Sequence, residues 1–198
     1  MRRKKIRKEV IGSANRIVVK VGSSLLLREG ELNLSFVREL AKDIAALSKR
    51  GKEVILVSSG AIGMGKREVK VDKTLNAIPS KQALASVGQT NLMNLYSRVF
   101  QKYHLIIGQV LLSGSDLSRR SSYLNARNTL LALLKLNIIP IVNENDTVAV
   151  EEIKFGDNDT LSALVAGLVD ANLLIIFSDV KGLYTADPKK DAEAKLIK

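Results

Sequence analysis

The chain contains no cysteine and no tryptophan, a single histidine (His104) and only three prolines in 198 residues. Without cysteine there are no disulfides and no thiolate metal centres, and one histidine rules out a histidine-rich metal site and disfavours a Ser-His-Asp triad. His104 follows Tyr103 at the expected end of a helix, which suits a terminus better than catalysis. Aromatic residues make up 4% of the chain, so its interior has to be built from Val, Ile, Leu and Ala. That composition fits an α/β domain with a buried parallel sheet. No apolar run reaches the roughly 20 residues needed to span a bilayer. Glu9-Val10-Ile11-Gly12-Ser13 is too polar for a signal-peptide core. A soluble, cytoplasmic protein with no membrane partner is expected.

Charge is what the chain has in excess, at a formal net +11. Arg2, Arg3, Lys4, Lys5, Arg7 and Lys8 come before any regular pattern begins. The division expected is a basic, disordered arm over residues 1–15 and one domain over 16–198. Such an arm attracts polyanions without specificity. The chain has neither an aromatic stacking platform nor a recognised nucleic-acid motif, so no specific nucleic-acid partner is expected, and a basic RNA- or DNA-binding module is the alternative from another class.

Hydrophobic periodicity alternates strand and helix along the chain. Strands are predicted at Ile17–Val21, Glu53–Val57, Ile106–Leu112, Ile138–Val142 and Leu173–Phe177. Val37, Leu40, Ile44 and Leu47 form a helix stripe that Gly51 ends. A longer helix opens at Pro79-Ser80 with Leu84, Val87, Leu92, Leu95 and Val99 on its inner face. Another is predicted over Tyr123–Leu136, capped by Ser121 or Ser122, and one more from Asp159 or Thr160 to Val169. A small hairpin is expected across Val148–Phe155. Repeated strand-helix-strand units favour right-handed crossovers and a mostly parallel sheet covered on both faces.

The polar loops fall at the carboxyl ends of these strands, where open α/β sheets bind ligands. They are Gly22-Ser23-Ser24, Ser58-Ser59-Gly60, Asn143 to Asp146, and Ser178-Asp179. Gly22 is expected to turn the backbone so that nearby amides face phosphate oxygens. Lys20 lies inside the strand Ile17-Val18-Val19-Lys20-Val21, where the cost of desolvating an amine calls for an anionic partner. Asp146, Asp157 and Asp159 could hold a magnesium-nucleotide or could equally cap turns and helices. Neither a Walker A sequence nor a protein-kinase signature is present.

Five blocks occur in order: Lys20-Val21-Gly22-Ser23-Ser24, Ser58-Ser59-Gly60-Ala61-Ile62, Asn143-Glu144-Asn145-Asp146, Gly156-Asp157-Asn158-Asp159, and Asp179 to Pro188. Together they resemble the amino acid kinase family, in particular its members that phosphorylate free L-glutamate. The resemblance implies a three-layer αβα sandwich and a transferase that moves phosphate from ATP, with Mg2+, to the side-chain carboxylate of L-glutamate, opening proline biosynthesis. It implies catalytic roles for Lys20 and Asp159 and glutamate binding by Ser59, Asp146 and Asn158. ATP binding falls to Lys20, Gly22, Ser23, Ser178 and Asp179, with Asp157 a possible metal contact through Mg-ATP. It further implies proline as feedback inhibitor and a homo-oligomer. In the family the domain continues through a glycine-rich segment with a second catalytic lysine. Nothing after Pro188 matches that segment, so an incomplete nucleotide lobe is expected, and a non-catalytic fragment is one alternative. Kinases of the same fold acting on N-acetylglutamate or aspartate are another, although a free ammonium group suits the acidic blocks better than an acylated one.

Overall fold

Five parallel strands form the centre of the structure, each coinciding with a β-branched run of the sequence. In a computed structural model that describes residues 9, 11–69, 77–148, 158–180, 182–188 and 190–197, the chain begins its sheet with β1 (Arg16–Val21) and continues through a short helix α1 (Ser23–Leu26). A two-stranded antiparallel ribbon, β2 (Leu27–Arg28) and β3 (Glu31–Leu32), leads to α2 (Leu34–Lys49) and β4 (Glu53–Ser58). Helices α3 (Ala61–Val69) and α4 (Ile78–Gln101) precede β5 (Ile106–Leu112). Then come α5 (Gly114–Ser118), α6 (Arg120–Lys135), β6 (Ile138–Glu144), α7 (Asn158–Leu168) and β7 (Leu173–Phe177). The sheet order is β5-β6-β4-β1-β7, with every pairing parallel.

Strand period and helix stripe together explain the layers. Side chains alternate along a strand, so Ile17, Val19 and Val21 of β1 face one side with Leu56 of β4 and Ile141 of β6, packed on Val37 and Ile44 of α2 and on Leu92, Tyr96 and Phe100 of α4. Val18, Ile55, Val57 and Val142 face the other side, packed on Leu130 and Leu134 of α6 and on Leu161, Val165 and Leu168 of α7. This is the three-layer αβα sandwich expected, with β1, β4 and β6 buried along nearly their whole length.

Some local expectations change. Ser121 and Ser122 do not cap α6. The helix starts at Arg120 behind Arg119, with no side-chain cap, so both serines lie in its first turn. Val87 turns to solvent, at 38% exposed, while Leu84, Ala85, Gln89, Leu92 and Tyr96 take the inner face of α4. The glycine-rich run after Ser58-Ser59-Gly60, for which no helix is predicted, contains α3. Its glycines lower helix propensity, but packing requires them: a Cβ on Gly65 would lie 1.9 Å from the Leu84 carbonyl oxygen, and one on Gly88 of α4 would lie 1.7 Å from that of Ala61. The two helices therefore touch backbone to backbone. Gly22 has φ −75° and ψ 156°, an extended conformation open to any residue, so it makes no tight turn.

Residues 1–8 of the basic arm, Asp157, and the hairpin expected beyond Val148 lie outside the described residues. Ala14 is already in the core at 2% exposed. The backbone amides of Asn15 and Arg16 both donate to Asn172 Oδ1, at 3.0 and 2.9 Å. Among the described residues no helix is long and apolar enough to cross a membrane. Because overpacking at backbone contacts has no side chain to yield, Gly88→Ala should destabilise the fold by about 3 kcal/mol, at or above the usual range for core overpacking. Thermal unfolding should report this as a Tm lowered by several degrees.

Candidate active site

Lys20 occupies the position in β1 that its alternation dictates, on the Val18 side of the sheet, the side covered by α7. The first turn of α7 supplies Asp159, whose Oδ1 lies 2.6 Å from Lys20 Nζ. The lysine side chain is 7% exposed and that of the aspartate 47%. Since Oδ1 itself is shut off from solvent, the exposure falls on the rest of the side chain. The strand lysine thus has the anionic partner its burial demands. A carboxylate at a helix N-terminus is also favoured by the helix dipole. At the other end of α7, Arg127 Nη1 donates to the Leu168 carbonyl and Arg16 Nη1 to that of Val169. Arg127 Nη2 also reaches Asp170 Oδ2 at 2.6 Å. Two guanidinium groups therefore serve the carbonyl end while the amide end faces the site.

Beside this pair is a buried amide network. Asn143 continues the Ile139–Ile141 series of β6, and Ser58 ends β4 on the same side, so both face α4. Asn158 Nδ2 reaches Ser59 Oγ at 2.7 Å, Asn143 Oδ1 at 3.0 Å and the Ser58 carbonyl at 3.2 Å. Asn143 Nδ2 in turn donates to Gln89 Oε1 at 2.9 Å. The ends of β4, β6 and α7 are thereby tied together at the strand carboxyl edge.

Two cavities open there. The larger, about 420 Å³, is lined by Ser23, Ser24, Ser59, the Gly60–Gly63 backbone, Asn143, Glu144, Asp146 and Asn158. The smaller, about 180 Å³, is lined by Lys20, Gly22, Ser23, Ser24, Ser59, Asp159, Phe177, Ser178 and Asp179. Ser23, Ser24 and Ser59 border both, so the cavities adjoin across three hydroxyls. Of the residues singled out from sequence, Ser59, Asp146 and Asn158 fall on the first cavity, and Lys20, Gly22, Ser23, Asp159, Ser178 and Asp179 on the second. Gly60, with φ +107°, takes a conformation that side chains disfavour and starts α3 close to Leu26 and Ser23. Gly22 matters here for the side chain it lacks, since a Cβ would sit 3.5 Å from Lys20 Nζ. Among the described residues no cluster of three or more acidic or histidine side chains could hold a metal alone.

The sequence analysis places Asn143 in a candidate loop without a role of its own, and does not single out Gln89 or Tyr96. Their signal was present: Gln89 and Tyr96 stand seven residues apart on one face of α4, polar groups in an otherwise apolar stripe. Tyr96 is fully buried, and its hydroxyl lies 2.7 Å from Ser58 Oγ, which donates on to the Ser59 carbonyl at 3.1 Å. Burial pushes the phenol above its ordinary value, opposed in part by the Ser58 bond.

The structure is thus a parallel αβα sandwich with a lysine-bearing first strand and two adjoining cavities at the strand carboxyl ends. The chain matches the amino acid kinase family over residues 15–198 and belongs to it. It is 53% identical over 189 residues to a protein of Nitrosospira multiformis named glutamate 5-kinase, covering 95% of this chain and 51% of that one. It is similar to proteins of the same name from Carboxydothermus hydrogenoformans, at 50% over 192 residues (96% and 52% covered), and from Thermus thermophilus, at 53% over 185 residues (93% and 50% covered). The chain spans about half the length of these curated relatives.

Removing the Tyr96 hydroxyl should cost about 1 kcal/mol, the worth of a buried neutral hydrogen bond. The folded chain keeps this proton at pH values where the unfolded chain loses it. The contribution is therefore complete below the unfolded phenol value near 10 and is lost as pH rises beyond it. Tm measured against pH should fall less steeply above pH 10 in Tyr96→Phe than in the parent.

Proposed function

We propose that this chain carries the acceptor site and the phosphate-facing wall of a glutamate 5-kinase, which transfers the γ-phosphoryl group of ATP to the side-chain carboxylate of L-glutamate. The observation that carries this reading is the seam between the two cavities, with the Lys20–Asp159 pair on one side and the Asn158–Ser59 contact on the other. The names of the relatives support it.

In this reading the larger cavity takes the amino acid. Glu144 and Asp146 supply negative charge suited to an ammonium group, while Ser59 and Asn158 supply a hydroxyl and an amide for carboxylate and ammonium. A carboxylate is already nucleophilic at neutral pH, so no general base is needed. The remaining task is to hold two anions in line and offset their repulsion, which is positioning plus electrostatics. Lys20 is the cation in place for that, and Asp159 fixes where its ammonium group points. The smaller cavity combines one lysine, the carboxylates of Asp159 and Asp179 and the hydroxyls of Ser23, Ser24 and Ser178. This donor set fits a metal-bound phosphate chain, since magnesium commonly takes one or two carboxylates together with phosphate oxygens. When bound, magnesium supplies the positive charge that one lysine does not. L-proline as feedback inhibitor and a homo-oligomeric assembly are carried forward from the family resemblance; adding L-proline to the assay and measuring mass by light scattering test them.

Hydroxylamine trapping of acyl phosphate with Mg-ATP should give product with L-glutamate and none with N-acetyl-L-glutamate or L-aspartate. Product with the acylated substrate alone would overturn the acceptor assignment. Lys20→Ala should lower turnover by roughly two orders of magnitude or more, the scale of losing one preorganised charge in a transition state. Circular dichroism should remain that of the parent, and near-parental turnover would remove Lys20 from the chemistry.

A further inference from the structure

We propose that Gln89, on the inner face of α4, is a positioning residue that, with the Glu144 backbone amide, holds the hydrogen-bond polarity of the acceptor cavity through Asn143 and Asn158. The inference rests on the acceptor-site reading above. Its starting point is a backbone amide. The Glu144 N–H, which can only donate, lies 2.9 Å from Asn143 Oδ1, so the Asn143 side chain must present oxygen to it and nitrogen to the opposite side. That nitrogen, on a residue 2% exposed, has Gln89 Oε1 as its acceptor at 2.9 Å. The same Asn143 oxygen takes a hydrogen from Asn158 Nδ2 at 3.0 Å. Asn158 thus turns both amide hydrogens inward, toward Asn143, Ser59 and Ser58. Two consequences reach the cavity that Ser59 and Asn158 line. Asn158 presents its carbonyl oxygen, which suits an ammonium group. Ser59 Oγ, already accepting from Asn158, keeps its own proton to give to a carboxylate.

The other end of Gln89 supports a functional origin. Its Nε2 is buried and has no hydrogen-bond partner among the described residues. An unpaired buried donor is costly, and an apolar side chain would avoid that cost if packing were the only requirement. The residue retains an amide where only its oxygen is used. Gln89 does not line the cavity, so it acts through Asn143 and not by touching substrate.

The test compares Gln89→Leu, which removes the acceptor, with Gln89→Glu, which keeps an acceptor oxygen and removes the orphan donor. In the ligand-free chain, hydrogen exchange of the Asn143 and Asn158 side-chain amides, followed by NMR, should be slow in the parent and in Gln89→Glu and fast in Gln89→Leu. By calorimetry, L-glutamate should bind Gln89→Leu roughly tenfold more weakly, the scale of leaving one buried donor unpaired. Gln89→Glu should stay within about threefold of the parent, and ATP affinity should be unchanged in both. Should Leu prevent folding, Gln89→Met, unbranched and of the same length, carries the same expectation. Slow amide exchange in the Leu or Met variant, or a loss in Gln89→Glu as large as in Gln89→Leu, overturns the proposal. A parent that binds no L-glutamate would overturn the functional reading instead, and the exchange measurements would still decide the role of Gln89.

Discussion

A primary amine carried into a parallel sheet requires a counter-charge, and Lys20 obtains one from the Asp159 carboxylate at the start of α7. Much of the surrounding architecture follows from that meeting. β1 must lie inside the sheet for the lysine to be sheltered, and α7 must cover the Val18 face with its amino end toward the strand carboxyl edge. The pair is asymmetric, with the lysine enclosed and its partner's side chain half-exposed beside the cavity. A buried ion pair of this kind is weak evidence of added stability. What it fixes is the position and direction of a positive charge.

Helix α7 is arranged around the same requirement. Its carbonyl end is held by Arg16 and Arg127, and its amide end carries Asn158 and Asp159 side by side, each serving a different cavity. In the proposed function, adjacent residues on one turn thus separate the handling of the nucleophile from that of the phosphate. The acceptor side depends on hydrogen-bond direction and the donor side on charge. These respond differently to substitution: an amide can be turned around by losing a partner, whereas a charge can only be removed.

The layered architecture and all five strands of the main sheet were legible in the sequence because buried parallel strands leave uninterrupted β-branched runs. Every described residue to which the family resemblance gives a site role lines one of two adjoining cavities. What was not legible depended on tertiary contact. Helix α3 is not predicted because the purpose of Gly65 lies in α4, about twenty residues on, at Leu84. Ser121 and Ser122 offered good caps that the chain bypasses by starting α6 at Arg120. Val87 and Gln89 are two residues apart on one helix, and hydrophobicity alone assigns them to the wrong faces. Gln89 is inward because Asn143 needs an acceptor, and a pairwise need of that kind leaves no periodic trace.

The backbone contact between α3 and α4 also limits how this wall of the site can vary. Contacts made by side chains can be trimmed or enlarged one methylene at a time, so a pocket built on them can drift gradually toward a new ligand. Gly65 and Gly88 allow no such gradation, because any added atom meets a carbonyl. The Gly60–Gly63 wall therefore behaves as a fixed datum, and a change in substrate preference in this lineage would have to arise across the cavity, in the carboxylates and amides contributed by β6 and α7.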